Sequence, residues 1–215
     1  MAYRFAVIAR FALAAIGAAG VIAESTNGVG AFSFSPTAKP LFTSAVEKAD
    51  PPKGWGDFCA HYTSECEGKA RDLRGIILTP EIWRVMNDVN QSVNASIQPI
   101  PSMEHREWHF AEDGRGDCKD YVLVKRQKLI EAGLPRESLL ITIVRTPQRH
   151  LHAVLIAHTD QGDFVLDNLS PWVAIWSKTD YQFIKRQTQQ DPNAWVYIDD
   201  DPPRDGAVWI AHGLI

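Results

Sequence analysis

Residues 114–135 read GRGDCKDYVLVKRQKLIEAGLP, and the meaning of the flanking segments depends on how this stretch folds. A Gly-x-Gly pair closes a loop and Asp117 follows as a capping side chain. Cys118, Tyr121, Val122 and Leu129 then share one helical face. Gly133-Leu134-Pro135 ends the helix, since glycine accepts the left-handed position past the last turn and proline cannot extend it. Cys118 therefore lies in the first turn, among backbone N–H groups with no intrahelical acceptor and at the positive end of the macrodipole. Both favour a thiolate. The alternative for Cys118 is a small buried hydrophobe.

Upstream, Thr79-Pro80-Glu81 is a helix start: a capping hydroxyl, proline at the first position and an acid in the first turn. Ile82, Val85, Met86, Val89, Val93 and Ile97 give this helix one apolar face, while Asn90 and Asn94, one turn apart on its flank, read as surface or backbone-bonding residues. Residues 98–116 read as a loop. Downstream the pattern switches to strands at 138–146, 152–158 and 164–169, with two further short strands at 195–198 and 208–210. Residues 172–190 follow neither period. Helices first and an antiparallel meander after them predict an α+β domain, with N-terminal helices packed on the sheet.

A general base must reach the sulfur. His150 sits in a turn and His158 closes a strand, whereas His152 opens the apolar run Ala153-Val154-Leu155-Ile156-Ala157 and is held by a core strand. A four-residue loop at 159–162 pairs Val154 with Asp167, making His152 and Asp167 diagonal neighbours on one face. A two-residue loop at 161–162 keeps the face but separates them by four residues, and a three-residue loop sends them to opposite faces. Asp163, in the turn, is the alternative acid.

The first 23 residues carry Arg4 and Arg10, an apolar run over 11–22 and Val21-Ile22-Ala23 before a cleavage point, which together read as a secretory signal peptide. An uncleaved anchor is the alternative, although the run is short for a membrane span. Residues 24–54, rich in Gly, Ser, Pro and Ala, read as a flexible N-terminal lead, leaving 55–215 as the domain. Export suits the cysteines. Cys59 and Cys66 have the spacing of a small-loop disulfide, with a zinc site through His61 as the rival. Cys118 is then left unpaired, and an unpaired thiol in an exported chain points to a reactive role. A formal charge of −4 gives no support to a nucleic-acid partner.

Five separated segments, GDCKDYVLVKRQKLIEAGLP, HAVL, FVLDNL, NDVNQSVN and FCAHYTSEC, resemble the bacterial transglutaminase-like cysteine proteinases. The resemblance implies a papain/transglutaminase-like fold with Cys118 as nucleophile, His152 as base and Asp167 as orienter. It implies a periplasmic or secreted protease acting on a protein such as a large, biofilm-forming surface adhesin, with an inhibitory membrane receptor as partner. It also implies calcium beside the nucleophile, for which Asp117 and Asp120 are the candidate ligands, with Glu112 and Asp113 in the preceding loop. Lys119 departs from that pattern, because it stands where calcium-dependent members commonly have an acid and so brings a like charge to the cation's place. The chemistry expected is acyl transfer, with the Cys118 N–H as one oxyanion donor and Trp108 or His109 as candidates for the second. Transamidation or deamidation of protein glutamine by the same three residues, and a non-catalytic binding module, are the rival readings.

Overall fold

The computed structural model describes residues 40–70, 72–101 and 107–198. The 1–23 signal-peptide reading, most of the lead and the strand expected at 208–210 lie outside them.

In chain order the elements are β1 (Ala45–Ala49), α1 (Trp55–His61), α2 (Thr63–Cys66), α3 (Pro80–Ser96), β2 (Gln98–Pro99), β3 (Arg115–Gly116), α4 (Cys118–Glu131), β4 (Leu139–Arg145), β5 (Leu151–Thr159), β6 (Gly162–Leu166), β7 (Ala174–Ile175), β8 (Gln182–Gln187) and β9 (Trp195–Ile198). Seven strands form one antiparallel sheet in the order β1-β9-β8-β4-β5-β6-β7, and β2 pairs with β3 in parallel. The fold is the α+β arrangement of helices on an antiparallel sheet.

Both long helices begin where their side chains cap them. The Thr79 hydroxyl accepts the Ile82 N–H at 3.2 Å, and Asp117 forms a capping box with Asp120. α4 packs along β5 and beside α3. Between helices and sheet lies the larger core, where Met86, Val122, Leu123 and Leu129 meet Leu139, Ile141, Leu155 and Leu166, with Trp55 and Phe58 of α1 joining them. The intervening positions of β4 to β6, among them Leu140, Val144, Val154, Ile156 and Val165, pack with Trp176, Phe183 and Ile198 on the other side. Burial from both sides explains why β4 and β5 read as unbroken apolar runs rather than alternating ones.

Three expectations change. The stretch 24–54, read as a lead without strand of its own, contains β1. Its Ala-Val-Glu-Lys-Ala pairs through backbone with β9 while its side chains stay mostly exposed, so hydrophobic patterning had nothing to register. The loop at 98–116 contains the two-residue strands β2 and β3. In the unassigned stretch 172–190, polar Gln-Phe-Ile-Lys-Arg-Gln forms β8, an interior strand of the sheet between β9 and β4.

The β5–β6 hairpin matters most. Its register runs from Leu155↔Leu166 to Thr159↔Gly162, and continuing it one pair sets Val154 opposite Asp167. The turn is tighter than the four-residue loop expected, because Thr159 and Gly162 themselves pair around Asp160-Gln161. The Thr159 hydroxyl donates to the Gly162 carbonyl at 2.8 Å. Gly162 has φ 131°, and a Cβ there would lie 2.9 Å from the Leu41 carbonyl oxygen, so conformation and space both require glycine.

Candidate active site

Cys118 is the first residue of α4, half-buried and the free cysteine among the described residues. Its placement follows from the cap. The Asp117 carboxylate accepts the Lys119 N–H at 2.9 Å, and Asp120 Oδ2 accepts the Asp117 N–H at 2.8 Å. Gly116 makes room for this, since a Cβ there would sit 2.8 Å from Asp120 Oδ2. The Gly-Asp-Cys-x-Asp sequence is thus a device for starting a helix with the sulfur at its first residue.

His152, on β5, joins the other two. Its Nε2 lies 2.7 Å from Asp167 Oδ1, and Cys118 is among the groups that act on the ring; with Nε2 on the acid, Nδ1 is the nitrogen left to face another partner. Burial lowers the pKa of His152, but the hydrogen bonds to Asp167 and Cys118 and their charges outweigh it and raise the ring to about 9. Burial raises Asp167, yet its bonds with His152, Tyr181 and the Leu169 N–H leave it below the usual carboxylate range.

Asp167 is bonded at every polar atom. Oδ1 takes the Leu169 N–H (3.0 Å) beside His152, and Oδ2 takes the Tyr181 hydroxyl (2.5 Å). Its backbone N–H donates to Asn90 Oδ1 at 3.0 Å, and its carbonyl accepts from Asn94 Nδ2 at 2.9 Å. Both asparagines also donate to the Ser170 carbonyl. Of the two expectations for Asn90 and Asn94, surface or backbone-bonding, the second holds, since Asn90 is fully buried and both bond main chain; the backbone they clamp is that of the acid beside His152. Tyr181 lies in the stretch without a readable period, so sequence spacing offered no signal for it.

The other expected residues fall as follows. Asp163 bonds His158 Nδ1 at 2.6 Å and the Thr43 hydroxyl at 2.7 Å, so it serves the far end of the hairpin and not His152. Cys59 and Cys66 form the disulfide, which removes both thiolates from the rival zinc reading. The Trp108 indole N–H donates to the Lys53 carbonyl at 3.1 Å and is thereby committed away from any oxyanion. His109 Nδ1 is 3.4 Å from Asp120 Oδ1.

For calcium, Asp120 Oδ1 is buried without a hydrogen bond and so offers one oxygen. Asp117 does not offer another, because the Lys119 ammonium is paired with it. Among the described residues no three His, Cys, Asp or Glu side chains gather as a metal site. Calcium takes six to eight oxygens, so these carboxylates as they stand do not make its cage.

Beside the acid opens a groove of about 410 Å³ lined by Thr146, Gln148, Asp167, Leu169, Trp172 and Tyr181, with Leu169 and Trp172 largely exposed. A cavity of about 210 Å³ near Arg126 and Arg136 is lined by none of Cys118, His152 and Asp167.

The family model of the bacterial transglutaminase-like cysteine proteinases matches residues 45–202. Solved structures of Legionella pneumophila LapG are similar in part. The calcium-bound form is 22% identical with a TM-score of 0.47, over 53% of this chain and 67% of that one. The EGTA-treated form is 21% identical with a TM-score of 0.46, over 54% and 67%. No curated protein matches. The family match spans the helix that starts at Cys118, the hairpin that carries His152 and Asp167, and the strand after Tyr181, and on it this chain belongs to the bacterial transglutaminase-like cysteine proteinases, a family of cysteine peptidases.

Proposed function

We propose that the chain is an exported cysteine endopeptidase whose reacting groups are Cys118, His152 and Asp167. The observation that carries this reading is one imidazole bonded to the buried carboxylate, with the half-buried sulfur acting on the same ring.

In the reaction, the Cys118 thiolate attacks the carbonyl carbon of a substrate amide while His152 holds the proton as imidazolium. The oxyanion forms beside the helix N-terminus, where the Cys118 N–H is one donor, and the main chain at 108–109 is the proposed source of the second. His152 passes its Nδ1 proton to the leaving nitrogen, the C–N bond breaks and a thioester remains. Water then attacks the thioester, giving its proton to His152, and the carboxylic acid leaves with the sulfur regenerated. Asp167 keeps Nε2 protonated and steadies the imidazolium throughout.

The substrate proposed is a periplasmic or cell-surface protein such as a biofilm adhesin. The groove beside Asp167 is lined by neither Cys118 nor His152, and with Leu169 and Trp172 on it we propose that it takes an apolar part of the substrate away from the scissile bond. No helix among the described residues is long and apolar enough to cross a membrane; an inhibitory membrane receptor is the partner proposed with that substrate. LapG has been solved both calcium-bound and EGTA-treated. Here the Lys119 ammonium on Asp117 supports a peptidase whose own residues supply the positive charge in that place.

The test is incubation of the purified mature protein with surface adhesins from its own cell, with and without chelator. Cleavage that Cys118→Ala abolishes, with thermal stability nearly intact, is the expected result. Retained cleavage in Cys118→Ala would overturn the assignment. Incorporation of a labelled primary amine without cleavage would make the acyl acceptor an amine instead of water.

A further inference from the structure

The carboxylate of Asp167 has two oxygens, and only one can face the imidazole. Oδ1 does so, and it also takes the Leu169 N–H. Oδ2 is held by the hydroxyl of Tyr181, the residue before β8, at 2.5 Å. The ring of Tyr181 also stands edge-on to that of His152, with centroids 5.9 Å apart and planes at 63°. One side chain thus touches both members of the acid–imidazole pair.

Two consequences follow from elementary chemistry. A carboxylate with a donor on each oxygen cannot turn freely about its Cβ–Cγ bond without breaking one of them, so the phenol, together with the Leu169 N–H, fixes the plane that the carboxylate presents to Nε2. Burial raises the phenol's pKa, and its bond to the Asp167 carboxylate raises it further. The hydroxyl therefore stays neutral and donating over the whole working range. A neutral donor draws charge from the carboxylate and weakens its hold on the imidazolium proton. The charged and titratable groups around the pair are Cys118 and Lys125 from α4, His152 itself, and Asp180 next to the phenol. Among the described residues, Tyr181 and His152 are the side chains bonded to the Asp167 carboxylate.

We infer that Tyr181 is a positioning residue that acts through Asp167, fixing the rotation of the carboxylate and tempering its charge so that the His152 proton remains transferable. The inference rests on the peptidase reading for its purpose, but its physical content can be measured without substrate. In the full mature chain, the His152 ring is titrated by nitrogen-15 NMR in wild type, Tyr181→Phe and Tyr181→Leu. Tyr181→Phe keeps the ring and removes only the donor. Its His152 midpoint should rise by roughly half a unit or more, because the carboxylate charge is no longer shared. On an adhesin substrate, kcat should fall roughly 3- to 10-fold with KM unchanged, as for a lost positioning bond. A His152 titration in Tyr181→Phe that coincides with wild type would sink the inference. So would a phenotype confined to Tyr181→Leu, which would give the role to the ring alone. A wild type without protease activity would count against the peptidase reading, and the titration would still decide Tyr181.

Discussion

His152 and Lys125 are two buried bases whose pKa values move in opposite directions. His152 is raised from 6.5 to about 9, so the stabilisation it gives is fully present below pH 6.5 and is lost as pH climbs through 9. Asp167→Asn removes the carboxylate that raises it. The His152 midpoint should fall in that variant and kcat should drop by roughly 10²- to 10⁴-fold, measured by NMR titration and turnover. Lys125 has no exposed surface, and its Nζ lacks a hydrogen bond. Burial lowers it to about 7, with the charge of Asp167 opposing only in part. Between pH 7 and 10.5 the unfolded chain binds the proton and the folded one does not, so this residue makes stability rise with pH. Lys125→Met should therefore stabilise the fold by about 1–4 kcal/mol near pH 6, with a smaller gain at pH 9. Urea unfolding at the two pH values measures both.

At the scale of elements, α3 and α4 have different tasks. α4 presents the sulfur, and its cap is part of that presentation. Asp117→Ala removes the acceptor for the Lys119 N–H and should cost about 1 kcal/mol of stability in chemical denaturation. The same carboxylate pairs with the Lys119 ammonium. Lys119→Glu replaces that cation with a third acid beside Asp117 and Asp120. Added calcium should then raise the Tm of the variant and leave that of the wild type unchanged, as followed by thermal scans. α3 carries none of Cys118, His152 and Asp167, yet its Asn90 and Asn94 hold the backbone of Asp167 from one helix turn.

What the chain discloses before folding follows the same division. α3 and α4 were legible because their start signals are local: Thr-Pro-Glu and Gly-Asp-Cys each write a cap within a few residues. The hairpin register was legible only in part. Loop length left three registers open, burial on both faces gave no parity to choose among them, and the pairing of Val154 with Asp167 is the one that makes His152 and Asp167 neighbours. Tyr181 was not legible, because it precedes an interior strand of mixed Gln, Lys and Arg whose neighbours in the sheet come from distant parts of the chain. β1 escaped for a related reason, since its pairing is made by backbone alone.

Over the whole molecule, the sheet is the frame and covalent fastening is sparse. The Cys59–Cys66 bridge closes a short loop joining α1 to α2, far from Cys118, His152 and Asp167 in sequence. Replacing both cysteines by serine should lower stability by about 2 kcal/mol and leave kcat nearly unchanged, which separates a staple from a redox switch. The two margins of the sheet are β1, five residues long and carrying Glu47 and Lys48, and β7, two residues long. Brief or charged margins offer poor templates to another copy's backbone. A preparation cut back past residue 50 would bare the side of β9 that β1 now covers, and with it a row of unsatisfied amides and carbonyls. Such material should gather into strand-linked oligomers even while Cys118, His152 and Asp167 remain in place.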